Sequence, residues 1–275
     1  AHAPAGRGRS ARRYQSPPFQ ARRAPGQGAA RRHGYNATFT YPAGGAIEFV
    51  RALLHDLDPA TLSLGEPLVQ VDVARRVAVT ARRRIAYTHL VSSAPLPTLL
   101  TACGQPPSPG MFASNAVAVY NLGFDRKGRR DVHWMYFPDP ARCFYRVGWY
   151  DNLLGGDRQS LYVELGRPSG EHLDVDQMLG RVLADLRAEG IVVDHQLVDW
   201  HHVTLDPAYV HLTRASIAEV AARRSELAGH GIHSVGRYGG WTYCSIEDNL
   251  IETQDLAERL AGSLANEPTK AQPKG

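Results

Sequence analysis

Hydrophobic positions change period several times along the chain, and each change marks an element. Residues 37–41 alternate as a short strand and Pro42-Ala43-Gly44-Gly45 turns the chain. Ile47, Val50, Leu54 and Leu57 then recur on one helical face. Residues 68–71, 77–79 and 85–91 alternate or run apolar between charged breaks, the pattern of a meander that 92–97 ends. Further strands are predicted at 116–124, 133–137, 144–149 and 161–165. A helix follows with Asp174 as N-cap, Gln177 three residues on, a stripe of Val175, Met178, Leu179, Val182 and Leu186, and Gly190 past its end. Strand character returns over 191–203 and 231–235, with helices over 214–227 and 245–260. Strands and helices come in blocks rather than in strict alternation, which predicts an α+β fold with a mixed sheet and no internal repeat.

Composition changes this picture at one end. Residues 1–33 hold eight arginines, four glycines and four prolines and no acidic residue, so they are expected to form a disordered Arg/Ala/Pro/Gly-rich tail ahead of one folded region, 34–275. The remaining 242 residues carry 23 basic and 27 acidic side chains, so the formal charge of +4 belongs to the tail. A mildly acidic body argues against nucleic acid as a partner. No run of 18 apolar residues occurs, so no membrane-spanning helix is expected. Three scattered cysteines, Cys103, Cys143 and Cys244, exclude a disulfide framework and a CxxC metal site, and point to a reducing, cytoplasmic setting.

The sharpest local signal is Gly236-Arg237-Tyr238-Gly239-Gly240-Trp241-Thr242-Tyr243-Cys244-Ser245, which reads as a strand, a glycine-rich turn and a helix capped by Ser245 and Asp248. A helix N-terminus carries about half a positive charge, so close backbone approach there suits an anion or an electron-rich ring. A plain capped helix after a glycine turn explains the same residues. His201-His202 point to opposite faces of a strand and make a poor metal pair, and no metal site is expected. No HExxH, GxSxG or phosphate-binding loop is present. Cys244 beside the helix start reads either as a thiol of lowered pKa or as packing.

These residues resemble the C-terminal flavin-binding segment of the FAD-dependent amine oxidase and protoporphyrinogen oxidase superfamily, with its UDP-galactopyranose mutase-like branch. Phe39-Thr40-Tyr41-Pro42 with Gly44-Gly45 and the helix after them is similar to the YPxGG helix of that group. His133-Trp134-Met135-Tyr136-Phe137-Pro138 and Phe144-Tyr145-Arg146-Val147 are similar to its substrate-domain strands. The resemblance runs in order from about residue 36 to residue 260 and implies FAD as cofactor. Gly236, Arg237, Tyr238, Gly239, Gly240, Trp241 and Ser245 would then meet the isoalloxazine end, and Leu68 or Val69 the adenine. Tyr136, Tyr145 and Arg146 would line a substrate pocket, for which aromatic packing between two strands is the alternative. In the mutase branch, whose pattern is GRxGxYxYxDMD, the Arg and the second Tyr bind the diphosphate of a nucleotide sugar. Arg237, Gly239 and Tyr243 keep that pattern, while Trp241, Ser245, Ile246 and Glu247 depart from it.

Enzymes of this superfamily begin with a strand, GxGxxG and a helix. Gly26-Gln27-Gly28 has no strand before it, so the fold expected is a mixed β-sheet substrate domain plus the C-terminal part of an FAD-binding domain, with the Rossmann unit missing. The function implied is an N-terminally truncated FAD-dependent oxidoreductase acting on a small molecule. A mutase-like isomerase using a nucleotide sugar and a non-enzymatic remnant that no longer binds FAD remain as alternatives.

Overall fold

An antiparallel pair opens the structure: β1 (Arg12–Gln15) lies against β2 (Thr38–Tyr41), with Tyr14 opposite Phe39. The structure, a computed structural model, describes residues 12–15 and 38–265, with side chains from 40 to 262. β1 falls where the sequence suggests no secondary structure; the rest of the expected tail lies outside the described residues. After Gly45, left-handed at φ +91°, comes α1 (Ile47–Leu54). The next segment holds β3 (Leu68–Asp72), β4 (Val77–Thr80), β5 (Arg84–Ala86), β6 (Leu90–Ser92) and α2 (Leu96–Ala102). β7 (Ser114–Phe124), β8 (Trp134–Tyr136), β9 (Arg146–Trp149), α3 (Tyr150–Leu154), β10 (Ser160–Pro168), α4 (Val175–Ala188) and β11 (Leu197–Val210) follow. The chain ends with α5 (Arg214–Gly229), β12 (Ile232–Ser234), α6 (Gly236–Gly239) and α7 (Ile246–Ala265). The mixture is α+β, as the block pattern predicts.

These elements form two units, each built from two chain segments: 1–62 with 116–206, and 63–115 with 207–275. In the first unit a five-stranded sheet runs in the order β11-β7-β10-β9-β8, with β9 antiparallel to both β8 and β10. Alternation gives this sheet two chemically different faces. Tyr120, Leu122, Phe124, Val147, Trp149, Leu161, Val163 and Leu165 pack on one side with Val182 and Leu186 of α4, whose cap is the expected one: Asp174 accepts from the Gln177 N–H at 3.0 Å. On the other side the register aligns Tyr136, Arg146 and Glu164, and beside them Trp134, Gly148 and Tyr162. Tyr162 lies across Gly148 so closely that a Cβ there would sit 2.0 Å from its ring. Pro207 is tolerated in β11 because that strand is an edge of the sheet.

In the second unit β3, β4 and β5 form the expected antiparallel meander, and β6 pairs in parallel with β12. Its core joins Val71, Leu96, Leu99, Leu100, Val220, Leu227, Ile232 and Trp241. Three differences from the sequence reading have physical causes. The run 85–91 breaks into β5 and β6 because Tyr87 N–H donates to Arg76 O at 3.0 Å, and Arg76 Nη1 donates to Thr88 O at 3.4 Å, tying the intervening residues to the β3–β4 turn. Pro95 and Pro97, which the sequence reading takes as a stop, start α2 instead, where a missing N–H costs nothing. β11 begins at Leu197 rather than 191, because Asp125 and Gln196 exchange hydrogen bonds of 3.0 and 2.8 Å that fix where pairing starts. No helix among the described residues is long and apolar enough to cross a membrane.

Gly148→Ala should lower stability by about 1 to 3 kcal/mol through overpacking against Tyr162. The double variant with Tyr162→Ala should lose less than the two single losses added, which a denaturant double-mutant cycle measures. Burial pushes the phenols of Tyr120 and Tyr162 up to about 12, from about 10 in the unfolded chain. A raised folded value means that their contribution is complete below about pH 10 and is lost as pH rises toward 12. Tyrosinate absorbance should therefore show phenols titrating late, together with alkaline unfolding.

Candidate functional site

β12 delivers the chain into the glycine segment. Gly236 adopts φ +78°, a left-handed conformation that excludes most side chains, and its N–H donates to Glu252 Oε2 at 2.7 Å. Arg224 holds the other oxygen of Glu252 at 2.6 Å. The expected open turn is instead one helical turn, α6. Gly240 N–H returns to Gly236 O at 2.6 Å, and Thr242 N–H to Arg237 O at 3.0 Å. The glycines that the sequence reading assigns to cofactor approach meet the protein's own atoms. A Cβ on Gly239 would lie 2.9 Å from Ser234 Oγ and 3.0 Å from Ser92 O, and one on Gly240 2.8 Å from Gly236 O. Trp241 is buried in the core, edge-on to Phe112 at 5.5 Å, with a positive φ of 44°. Tyr238 also turns inward and donates its hydroxyl to Ala208 O at 3.3 Å.

Arg237 is different. Its guanidinium carbon lies 4.5 Å from the ring centre of Tyr243 and 5.2 Å from that of Tyr209, and the two rings stack at 6.2 Å. Its hydrogen bond is to Cys244 O at 3.5 Å, and no carboxylate among the described residues pairs with it. Tyr243 is 67% exposed, so this cation sits on an accessible aromatic surface. Tyr209, at the end of β11, is the member that sequence reasoning missed, because a tyrosine in a strand has no distinguishing pattern.

Ser245 caps α7 as expected. Its Oγ accepts from the Asp248 N–H at 3.1 Å, and Asp248 accepts from the Ser245 N–H at 2.7 Å. Glu247 and Asp248 already place two carboxylates in that first turn, so the helix end is partly neutralised. Burial raises the Cys244 thiol pKa, and its Sγ donates to Asn249 Oδ1 at 3.3 Å, which favours the packing reading of that residue. On β3, Leu68 opposes Thr80 and Gln70 opposes Val79, so Val69 bulges out of register on an edge strand and is 59% exposed. That leaves backbone polar groups of Val69 outside the β3–β4 ladder.

The remaining candidates belong to the first unit. Arg146 Nη2 donates to Glu164 Oε1, Tyr145 donates its hydroxyl to Glu164 Oε2, and Arg146 Nη1 donates to Tyr136 Oη at 3.2 Å. The guanidinium also lies 5.7 to 5.9 Å from the rings of Tyr136, Tyr145 and Tyr162. Burial works against the charge on Arg146, but the Glu164 and Tyr136 hydrogen bonds outweigh it and raise the pKa. Tyr136, Tyr145 and Arg146 are thus brought together. Glu164 was missed, although a single carboxylate inside the apolar strand Ser160–Pro168 was the available signal. His202 bonds Thr204 Oγ1 at 3.2 Å and packs on Tyr120, while His201 is exposed. Among the described residues no three metal-binding side chains cluster.

No family model and no curated protein matches the sequence. Solved structures do. A reduced UDP-galactopyranose mutase is 20% identical, with a TM-score of 0.67 over 76% of this chain and 49% of its own. A putative protoporphyrinogen oxidase from Exiguobacterium sp. 255-15 is 16% identical, with a TM-score of 0.62 over 76% and 49%. A CLA-producing fatty acid isomerase from P. acnes is 13% identical, with a TM-score of 0.59 over 81% and 53%. The chain spans about half the length of each of these proteins. The fold of this chain is therefore shared with about half of each of these proteins, as the sequence resemblance implies.

Proposed function

We propose that this chain supplies the substrate-binding strands and the flavin-end contacts of an FAD-dependent oxidoreductase. The observation that carries this reading is Arg237, a guanidinium that no carboxylate among the described residues pairs with, held against Tyr209 and Tyr243 next to the start of α7. An uncompensated cation on an aromatic surface suits an anionic ligand group, because the planar fork donates two parallel hydrogen bonds while the rings hold its plane. Arg237 and Tyr243 would take the anionic part of the cofactor or substrate, and the Val69 backbone at the β3 bulge would meet the adenine edge. Bound FAD supplies the electron transfer. Tyr136, Tyr145, Arg146 and Glu164 of the first unit would bind a small-molecule substrate, and since Arg146 is already neutralised by Glu164, they favour a group without net charge.

A mutase-type isomerase is the second reading. It is supported by the retention of Arg237, Gly239 and Tyr243, and by the likeness to a UDP-galactopyranose mutase. In that reading the same guanidinium holds the diphosphate of a nucleotide sugar.

Titration of the full chain with FAD, and separately with UDP, tests both readings through flavin fluorescence and calorimetry. The flavin reading expects saturable FAD binding, weakened about 10- to 100-fold in Arg237→Ala and less in Arg237→Lys, which keeps charge without the fork. UDP binding with the same sensitivity supports the isomerase. The absence of binding by either ligand would overturn the assignment and leave a protein that does not use FAD, whereas FAD binding that is equal in Arg237→Ala would overturn the role given to Arg237. Gly239→Ala should instead act on stability, by about 1 to 3 kcal/mol in chemical denaturation, since a Cβ there meets the Ser234 hydroxyl and the backbone oxygen of Ser92.

A further inference from the structure

Outside the candidate site, one pair of titratable side chains in the second unit faces itself. His233 lies on β12, and His89 immediately precedes β6, the strand paired with it. Nε2 of His233 and Nδ1 of His89 share a hydrogen bond at 3.3 Å, whose proton a metal ion would replace; their rings are tilted by 42°, and both are half-buried. Two imidazole nitrogens bound to one tetrahedral zinc ion at about 2.0 to 2.1 Å stand about 3.3 to 3.4 Å apart, whereas neighbouring ligands of a square-planar ion stand about 2.9 Å apart.

We propose that His89 and His233 form a two-nitrogen site for a zinc-type divalent cation, bridging β6 and β12. No third metal-binding side chain joins them among the described residues, so the other positions fall to water or an outside ligand, as in open rather than structural zinc sites. Burial first, then His89 and Arg259, disfavour a proton on His233 and keep it in the neutral form that binds metal. The positive charge of Arg259 on α7 acts against a proton on His233 and would likewise oppose a cation there. The site is independent of the flavin reading.

Zinc titration of the full chain, followed through the ring resonances of all histidines, tests it. The rings of His89 and His233 should shift together and saturate, with binding weakened at least about tenfold in His89→Gln and in His233→Gln. Arg259→Gln should tighten it. The wild-type resonances answer the question even where a variant folds poorly. Zinc that shifts other histidines and leaves these two unmoved, or no shift of either ring at millimolar zinc, would overturn the proposal.

Discussion

The second unit depends on how closely its backbone approaches itself at Gly239. Ser234 Oγ donates to Gly239 O at 2.8 Å, Val235 N–H donates to Ser92 O at 2.9 Å, and the space a Cβ would need is occupied by Ser234 and Ser92. The ends of β6 and β12 and the single turn of α6 are thereby locked into one piece. Glu252 fastens the other side by accepting from both Gly236 and Arg224, so α7 is fixed relative to the turn it follows. Arg237 projects from this frame, and its place against Tyr209 and Tyr243 depends on the frame.

Two half-buried arginines, Arg146 and Arg237, show how surroundings decide chemistry. Arg146 is charged and surrounded by rings, but Glu164 takes one of its hydrogen bonds and cancels its charge, so the cluster is a neutral polar platform. Arg237 has rings and a carbonyl. A cation against aromatic faces gains about 0.5 to 2 kcal/mol, less than a charge-assisted bond to an anion provides, so an anion remains its strongest available partner.

Much of the fold was legible because it rests on local rules. The Asp174 cap, the meander over β3 to β5, the strand alternation around β9 and the box at Ser245 follow from residue types at short spacing. What was illegible depends on contacts distant in sequence. The break at Tyr87 needs Arg76, the late start of β11 needs Asp125, and α2 needs a buried groove for Leu96, Leu99 and Leu100. The cluster at Arg146 was visible as two aromatic strands, but its carboxylate comes from β10, whose register no local pattern announces.

The glycines of the 236–240 segment teach a sharper lesson about motifs. Their spacing suggested a backbone made bare for a cofactor, yet each close contact is with the protein itself. A glycine pattern reports close approach without naming the approaching atom, and here atoms of Ser234, Ser92 and the α6 backbone lie close to Gly239 and Gly240. The guanidinium of Arg237, the exposed ring of Tyr243 and the bulged backbone at Val69 are the groups in this unit that still offer a ligand something to bind. Among the described residues no carboxylate pairs with that cation, and its partial burial has a desolvation cost that ring contacts and one carbonyl offset only in part.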